Sequence, residues 1–280
     1  MELLPGLYCL PVTIETLPPH RATNVYIMTS GDSALVLDAV SLNNEPLEKI
    51  AAMGVKSIEK AVITHAHGDH YRGLEAFLAK FGGKIFCHQR THRRIQDSFK
   101  EELFGRDLED GDLLEIGDFK IRVLHTPGHS SDHLCLYLEN KKVLFSGDTI
   151  LGWGTSIISP PEGDMIAYMK TLENLMTFDI SMICPGHGPL IQEKVSERIK
   201  WYYDHRLMRE KLVIEAITNG PLTPYEIAER IYSEEDFKMH GRDLLPRAAR
   251  SVLAHLEKLE KEGKVFGTTN KDGATRYGLT

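Results

Sequence analysis

The segment THAHGDH, residues 64–70, places His65, His67, Asp69 and His70 in one short loop. Imidazole nitrogen and carboxylate oxygen are donors that divalent transition metals take. Read alone, the loop is either a polar turn rich in imidazole or half of a metal site. Three later segments supply matching donors: HTPGHSSDH carries His129, LFSGDT carries Asp148 and ICPGHGP carries His187. An isolated histidine is most often structural or exposed. These donors, however, each follow an apolar run, so four separate strand ends would have to deliver them to one edge by coincidence. His65 and His67, two apart, can point the same way from an extended segment, while Asp69 and His70 begin the next turn and can reach a second position. The set therefore reads as a metal site. His125 ends a strand and reads as a packed histidine, and His20, His88, His92, His205, His240 and His255 read as structural or exposed.

The positioning elements are short strands and helices. NVYIMTS and ALVLDAV are strand-like around a turn at Ser30-Gly31-Asp32, which predicts a hairpin. NEPLEKIAAMG predicts an amphipathic helix ending at Gly54. KAVITH is a continuous apolar run, as in a strand buried on both faces. Leu74, Phe77, Leu78 and Phe81 share a helical face that Gly82-Gly83 ends, and KIFCH, FKIRVLH and LCLYLENKKVLFSGDT read as further strands. This alternation implies an α/β or α+β sandwich core. Beyond MICPGHGPLI the pattern changes. Residues 192–218 read as a long charged helix or helix pair. Thr223 and Glu226 form a capping box with Pro224 at the first helical position. Val252, Leu253, Leu256 and Leu259 stripe another helix ending at Gly263, and a hairpin around an Asp-Gly turn closes the sequence. Helix, helix and hairpin are the parts of a winged-helix module, so the expected domains are 1–195 and 196–280.

Composition narrows the class. The 280 residues are 42% hydrophobic and 26% charged, enough for a sizeable core. A formal net charge of −7 argues against a nucleic-acid-binding field over the whole surface but leaves room for a local basic patch. No apolar run is long enough to span a membrane, and MELLPGLYCL lacks the basic start of a secretion signal, so a cytoplasmic location without membrane attachment is expected. Cys9, Cys87, Cys135 and Cys184 are far apart and read as free buried thiols.

THAHGDH, with PGH ending at His129, SGD ending at Asp148 and PGHG around His187, resembles the metallo-β-lactamase superfamily across almost all of residues 20–190. The resemblance implies an α+β fold, a four-layer αββα metallo-β-lactamase sandwich, here with a small C-terminal winged-helix-like domain. It implies two zinc ions per chain, with iron or manganese as alternatives. His65, His67 and His129 would hold the first, Asp69, His70 and His187 the second, and Asp148 would bridge both. A hydroxide shared by the ions would then attack a carbonyl or phosphoryl centre, with Asp69 and Asp148 as the catalytic carboxylates. Asp38, closing the strand LVLD, matches a family position that braces the metal loop. His133 matches a histidine that some members carry just after the third ligand, with a plain turn residue as the other reading. True β-lactamases of the superfamily usually carry Cys or Ser where this chain has Asp148, and redox diiron relatives carry Glu where it has His67. Both features point to a hydrolase that is not a β-lactamase.

FSGDTILGWGTSII, PGHGPLI and HLEKLEKEGKV resemble the branch containing the β-lactamase-like protein 2 endoribonucleases. That branch implies cleavage of single-stranded RNA, although fungal polyketide thioesterases share much of the pattern. A phosphodiester such as single-stranded RNA is the leading substrate. A small ester or thioester, as for hydroxyacylglutathione hydrolases, is the alternative, weakened by the lack of a helical glutathione-binding pattern. A winged-helix nucleic-acid-binding regulator with a metal sensor domain is a third reading, opposed by the acidic balance and the complete donor set. Trp153 and Tyr168 are candidates to line a pocket or simply to pack. The basic residues in RTHRR at 90–94 and Arg198, Lys200, Arg206, Arg209 and Lys211 read as phosphate contacts or as solvated helix faces. Lys258, Lys261, Lys264, Lys271 and Arg276 are interleaved with Glu257, Glu260 and Glu262, which neutralises the stripe expected of a DNA reader. The resemblance instead implies a module that closes over the cleft or pairs chains, as in a homodimer.

Overall fold

In the computed structural model, residues 1–16, 20–232, 244–271 and 273–280 are described. The apolar runs pair into two sheets. The first has the order β1 (Glu2–Leu4), β2 (Leu7–Thr13), β3 (Ala22–Ser30), β4 (Ser33–Leu37), β5 (Ser57–Val62), β6 (Lys84–Phe86). Strands β1 to β4 pair antiparallel, with the predicted hairpin joining β3 and β4. Strands β4, β5 and β6 pair parallel, which requires crossovers. These are supplied by α1 (Glu45–Ala52) and by α2 (Gly68–Tyr71) with α3 (Leu74–Phe81). A short α4 (Gln89–Ile95) follows β6. The second sheet contains β7 (Leu113–Ile116), β8 (Phe119–His125), β9 (Leu134–Leu138), β10 (Val143–Gly147) and β11 (Met182–Pro185). Its order is β11-β10-β9-β8-β7, with only β10–β11 parallel.

The period of two along each strand divides the core. Tyr26, Met28, Leu35, Leu37 and Val62 of the first sheet pack with Ile121, Val123, Leu136 and Phe145 of the second. Their alternates, Val25, Ile27, Val36 and Ala61, pack against Leu47, Ile50, Leu74 and Phe77 of the helices. Both faces of the first sheet are thus buried, which explains the apolar runs Val25–Met28, Ala34–Leu37 and Ala61–Ile63. The fold is α+β, as expected.

By its internal packing the chain forms two units. The first comprises Met1–Thr126, Asp132–Thr155 and Asp179–Val195; the second comprises Pro127–Ser131, Ser156–Phe178 and Ser196–Thr280. The second contains α5 (Met165–Leu175), α6 (Val195–Ala216), α7 (Pro224–Ile231), α8 (Leu245–Lys261) and the ribbon of β12 (Val265–Thr269) with β13 (Thr275–Leu279). The region expected as a helix or helix pair is the single helix α6. The Thr223–Glu226 capping box and Pro224 at the first turn are both in place. Val213, Ile217, Ile227, Val252, Leu256, Leu259, Val265 and Tyr277 form the core of this winged-helix module. Asp272 of the expected Asp-Gly turn and His240 lie outside the described residues. Among the described residues, no helix is long and apolar enough to cross a membrane.

His255 is buried on α8. Burial, with Arg206, Lys258, His205 and Arg209 adding positive charge nearby, lowers its pKa to about 3. The unfolded chain takes up a proton at this residue below about pH 6.5, whereas the folded chain does not until about pH 3. Stability should therefore fall with pH across that window, by up to about 1.4 kcal/mol per pH unit from this group. Thermal melts of wild type and His255→Gln between pH 7 and pH 4 check this: the variant should show the shallower loss, and parallel profiles would refute it.

Candidate metal centre

The donors follow the C-terminal ends of strands, and His70, His129, Asp148 and His187 are each aimed by a bond at the back. Asp38 follows β4 with φ at 52°, in the left-handed region that Asp tolerates better than most residues. Its Oδ1 accepts the Thr64 amide at 2.8 Å, and its Oδ2 accepts the Thr64 hydroxyl at 2.9 Å. Oδ2 also lies 2.8 Å from Nδ1 of His70. One buried carboxylate therefore fixes the start of the loop and the ring of its last histidine. His187 Nδ1 donates to the Ala22 carbonyl at 2.8 Å, and His129 Nδ1 to the Ile157 carbonyl at 2.8 Å. In all three rings the proton is held on Nδ1, leaving the Nε2 lone pair available. His133 does not join the donors. Its Nε2 accepts the Asp148 amide at 3.0 Å, and its Nδ1 lies 2.9 Å from Thr126 Oγ1. It is a brace for Asp148. Gly147, with φ at 46°, gives that contact room, because a Cβ there would meet His133 Nε2 at 2.6 Å.

The expected residues come together as two groups, His65, His67, His129 and Asp148 in one and Asp69, His70 and His187 in the other. Within each group the ligand atoms all lie within 4.8 Å of one another. His65 Nε2 and His67 Nδ1 are 2.8 Å apart. Asp148 Oδ1 stands 3.4 Å from both His70 Nε2 and His187 Nε2, and Asp69 Oδ2 is 3.4 Å from His187 Nε2. Asp148 thus belongs to the first group and adjoins the second.

The residues fit metal ions. Among the described residues, the buried atoms His70 Nε2 and His187 Nε2 make no hydrogen bond, an unusual state for buried polar atoms. The electrostatics agree. Burial opposes a charge on His70, yet Asp38 and Asp148 outweigh it and hold the pKa well above the ordinary imidazole value. Burial likewise opposes charge on His187, and Asp148 and Asp69 outweigh it. Burial would raise the Asp69 pKa, but the His187 imidazole beside it and the charge of His70 pull it well below the usual carboxylate range. A centre that draws positive charge onto two buried rings is suited to a cation.

Further residues hold the centre without announcing themselves in the sequence. Asp132 is 0% exposed. Its Oδ2 accepts the Ala66 amide at 3.0 Å and the Thr91 hydroxyl at 2.8 Å, and Arg94 Nη1 approaches within 3.6 Å. Ala66 lies between His65 and His67, so Asp132 ties the metal loop to α4. An acid inside HTPGHSSDH, between a donor and an apolar strand, is the signal that marks it. Asn24 Nδ2 donates to the carbonyls of Pro185 and Gly188 at 2.9 and 2.8 Å, and Tyr26 Oη donates to Pro185 at 2.8 Å. These clamp the His187 loop to β3.

Some expectations are corrected. Tyr168 is fully buried and cannot line an open pocket, whereas Trp153 is 56% exposed. Along α6, Lys200 pairs with Asp204 and Lys211 with Glu215 on the exposed surface, while Arg206 is buried. In the module, Lys258 pairs with Glu210 and Glu262, and Arg276 pairs with Glu226.

Residues 18–187 match the metallo-β-lactamase superfamily, and residues 223–272 match the β-lactamase-associated winged helix domain. The chain belongs to the metallo-β-lactamase superfamily. It is 31% identical over 266 residues to a β-lactamase-like protein 2 homolog of Drosophila melanogaster, covering 90% of this chain and 87% of that one. It is also 29% identical to an atrochrysone carboxyl ACP thioesterase of Aspergillus chevalieri, covering 76% of this chain and 68% of that one. A metallo-β-lactamase family protein from Thermus thermophilus shares the fold with a TM-score of 0.78 at 24% identity, covering 99% of this chain and 100% of that one. Superfamily members are generally hydrolases with metal sites, and the two donor groups of this chain are of that kind.

Replacing Asp132 by Ala should strand the Ala66 amide and the Thr91 hydroxyl in a dry environment, at a cost of roughly 2–5 kcal/mol. Urea denaturation of the metal-free protein reads this directly, and a variant as stable as wild type would dismiss Asp132 as a brace.

Proposed function

We propose that this protein is a binuclear zinc hydrolase acting on a phosphodiester such as single-stranded RNA. The observation that carries the two-ion reading is the place of Asp148, one carboxylate grouped with His65, His67 and His129 yet 3.4 Å from His70 and His187. His65, His67 and His129 would hold one ion, Asp69, His70 and His187 the other, and Asp148 would serve both. When bound, such ions supply Lewis acidity that lowers the pKa of water and polarises a phosphoryl or acyl oxygen. The chain's own residues prepare this. Asp38 keeps the His70 proton on the side away from the centre, and His133 fixes the backbone that presents Asp148. Asp69 is held as the anion, so its oxygens are available to a metal rather than occupied by a proton.

Two observations favour an RNA strand. Similarity to β-lactamase-like protein 2 homologs runs through both domains. The exposed Trp153 also stacks on His20 at 6.4 Å with planes 10° apart, and His20 stacks on His187 at 5.3 Å. A flat apolar ring close to a donor suits an unpaired base, for which aromatic stacking contributes about 1–3 kcal/mol. Hydrolysis of an acyl thioester is the second reading, favoured by the similarity to fungal thioesterases.

Zinc-loaded protein incubated in parallel with labelled single-stranded RNA, a generic phosphodiester and an acyl thioester separates these readings. We expect about two zinc per chain and cleavage of the RNA. Asp148→Asn should lower turnover by about 100-fold or more, exceeding the 10–100-fold typical of a residue behind a ligand. Thioester hydrolysis without RNA cleavage would transfer the assignment to the second reading. Specific duplex binding with no turnover of any substrate would indicate a regulator instead. Trp153→Ala should raise KM for RNA with little change in thioester turnover.

A further inference from the structure

The loop bearing His129 is braced by segments far along the chain. The Pro127 carbonyl accepts the Thr171 hydroxyl of α5 at 2.8 Å, and the Gly128 carbonyl accepts the Asp164 amide at 2.9 Å. Gly128 lies so close to α5 that a Cβ there would meet Tyr168 Cα at 2.4 Å. The imidazole is held by the next segment, with Nδ1 at 2.8 Å from the Ile157 carbonyl and 3.2 Å from Ser156 Oγ. Behind Ser156 stands Arg206 of α6, whose Nη2 donates to the Ser156 carbonyl. The guanidinium also lies 5.2 Å from the Tyr168 ring centroid, over the same tyrosine that confines Gly128.

Arg206 is an unusual residue to find in this position. It is 4% exposed, and among the described residues neither an ion pair to it nor a hydrogen bond to its Nε is present. Burying a guanidinium without a carboxylate is costly. Its directional contact is the Ser156 carbonyl, in the dipeptide that aims His129.

We propose that Arg206 is a positioning residue for His129. It pins residues 156–157 from behind, and these hold the imidazole proton on Nδ1 and turn Nε2 toward the centre. The helix leading into the C-terminal module is then a support of the His129 imidazole and not only a linker. This role rests on the reading of His129 as a ligand.

The test uses full-length wild type, Arg206→Met, Arg206→Lys and Ser156→Ala. Zinc stoichiometry and chelator competition are measured beside melting of the metal-free forms. Wild type should bind two ions. Arg206→Met should keep one at wild-type affinity and weaken the other by roughly 10–100-fold. Arg206→Lys, which still reaches a carbonyl with a charged donor, should recover part of that loss. If Arg206→Met fails to fold, selective weakening of one ion in Arg206→Lys and Ser156→Ala supports the proposal, and wild-type affinity for both ions in these two variants overturns it. A folded Arg206→Met that binds both ions like wild type overturns the positioning role alone. An equal loss at both ions that tracks a lower melting temperature also overturns it, because that is the signature of a merely structural arginine. Wild type that binds no zinc overturns the ligand reading itself.

Discussion

Three hydrogen bonds made by imidazole Nδ1 atoms set the chemistry of this protein. His70 donates to Asp38, His187 to the Ala22 carbonyl and His129 to the Ile157 carbonyl. Each bond chooses a tautomer and a ring orientation together, and so converts a flexible side chain into a fixed lone pair. The acceptors come from three different parts of the chain, the end of β4, the start of β3 and the segment before α5. The strands must therefore hold their register before the donors can converge. Much of the surrounding structure serves this requirement: the parallel pairing of β4 with β5 sets Asp38 beside Thr64, and the pairing of β10 with β11 sets Asp148 beside His187.

Charge and burial pull against each other at the centre. Buried carboxylates and imidazoles are costly to desolvate, and the chain offsets this by pairing them. Asp38 serves Thr64 and His70, Asp132 serves Ala66 and Thr91, and Asp148 faces His70 and His187. The result is a site whose own acids favour added positive charge. The same principle is absent around His255, where neighbouring cations and burial keep a ring neutral. Two buried histidine environments in one chain thus respond to protons in opposite directions, because one faces carboxylates and the other faces arginine and lysine.

The donors were legible in the sequence because metal chemistry demands particular residue types at strand ends, and such types are scarce after apolar runs. The buried stretches Val25–Met28, Ala34–Leu37 and Ala61–Ile63 were legible for a related reason, since burial on both faces leaves a run of apolar residues. The braces were less so. Asp132 holds Ala66 and Thr91, 66 and 41 residues away, and Asn24 and Tyr26 hold Pro185, 161 and 159 residues away, separations that no local spacing encodes. In the sequence Tyr168 is a candidate to line a pocket or simply to pack, and only its burial against Gly128 decides for packing. Likewise, Arg206 looks like one of a run of solvated basic residues on α6, and only the fold reveals that its face points inward.

The clamp between Asn24 and the His187 loop joins residues 164 positions apart. Closing so long a loop is slow compared with forming helices or hairpins. During synthesis the first donors, His65 to His70, emerge well before β11 exists. Neither the Ala22 carbonyl nor Asn24 can aim His187 until β11 has been made and has docked. A nascent chain therefore presents the loop of His65, His67, Asp69 and His70 without its partners, and the second donor group is complete only once His187 has been docked.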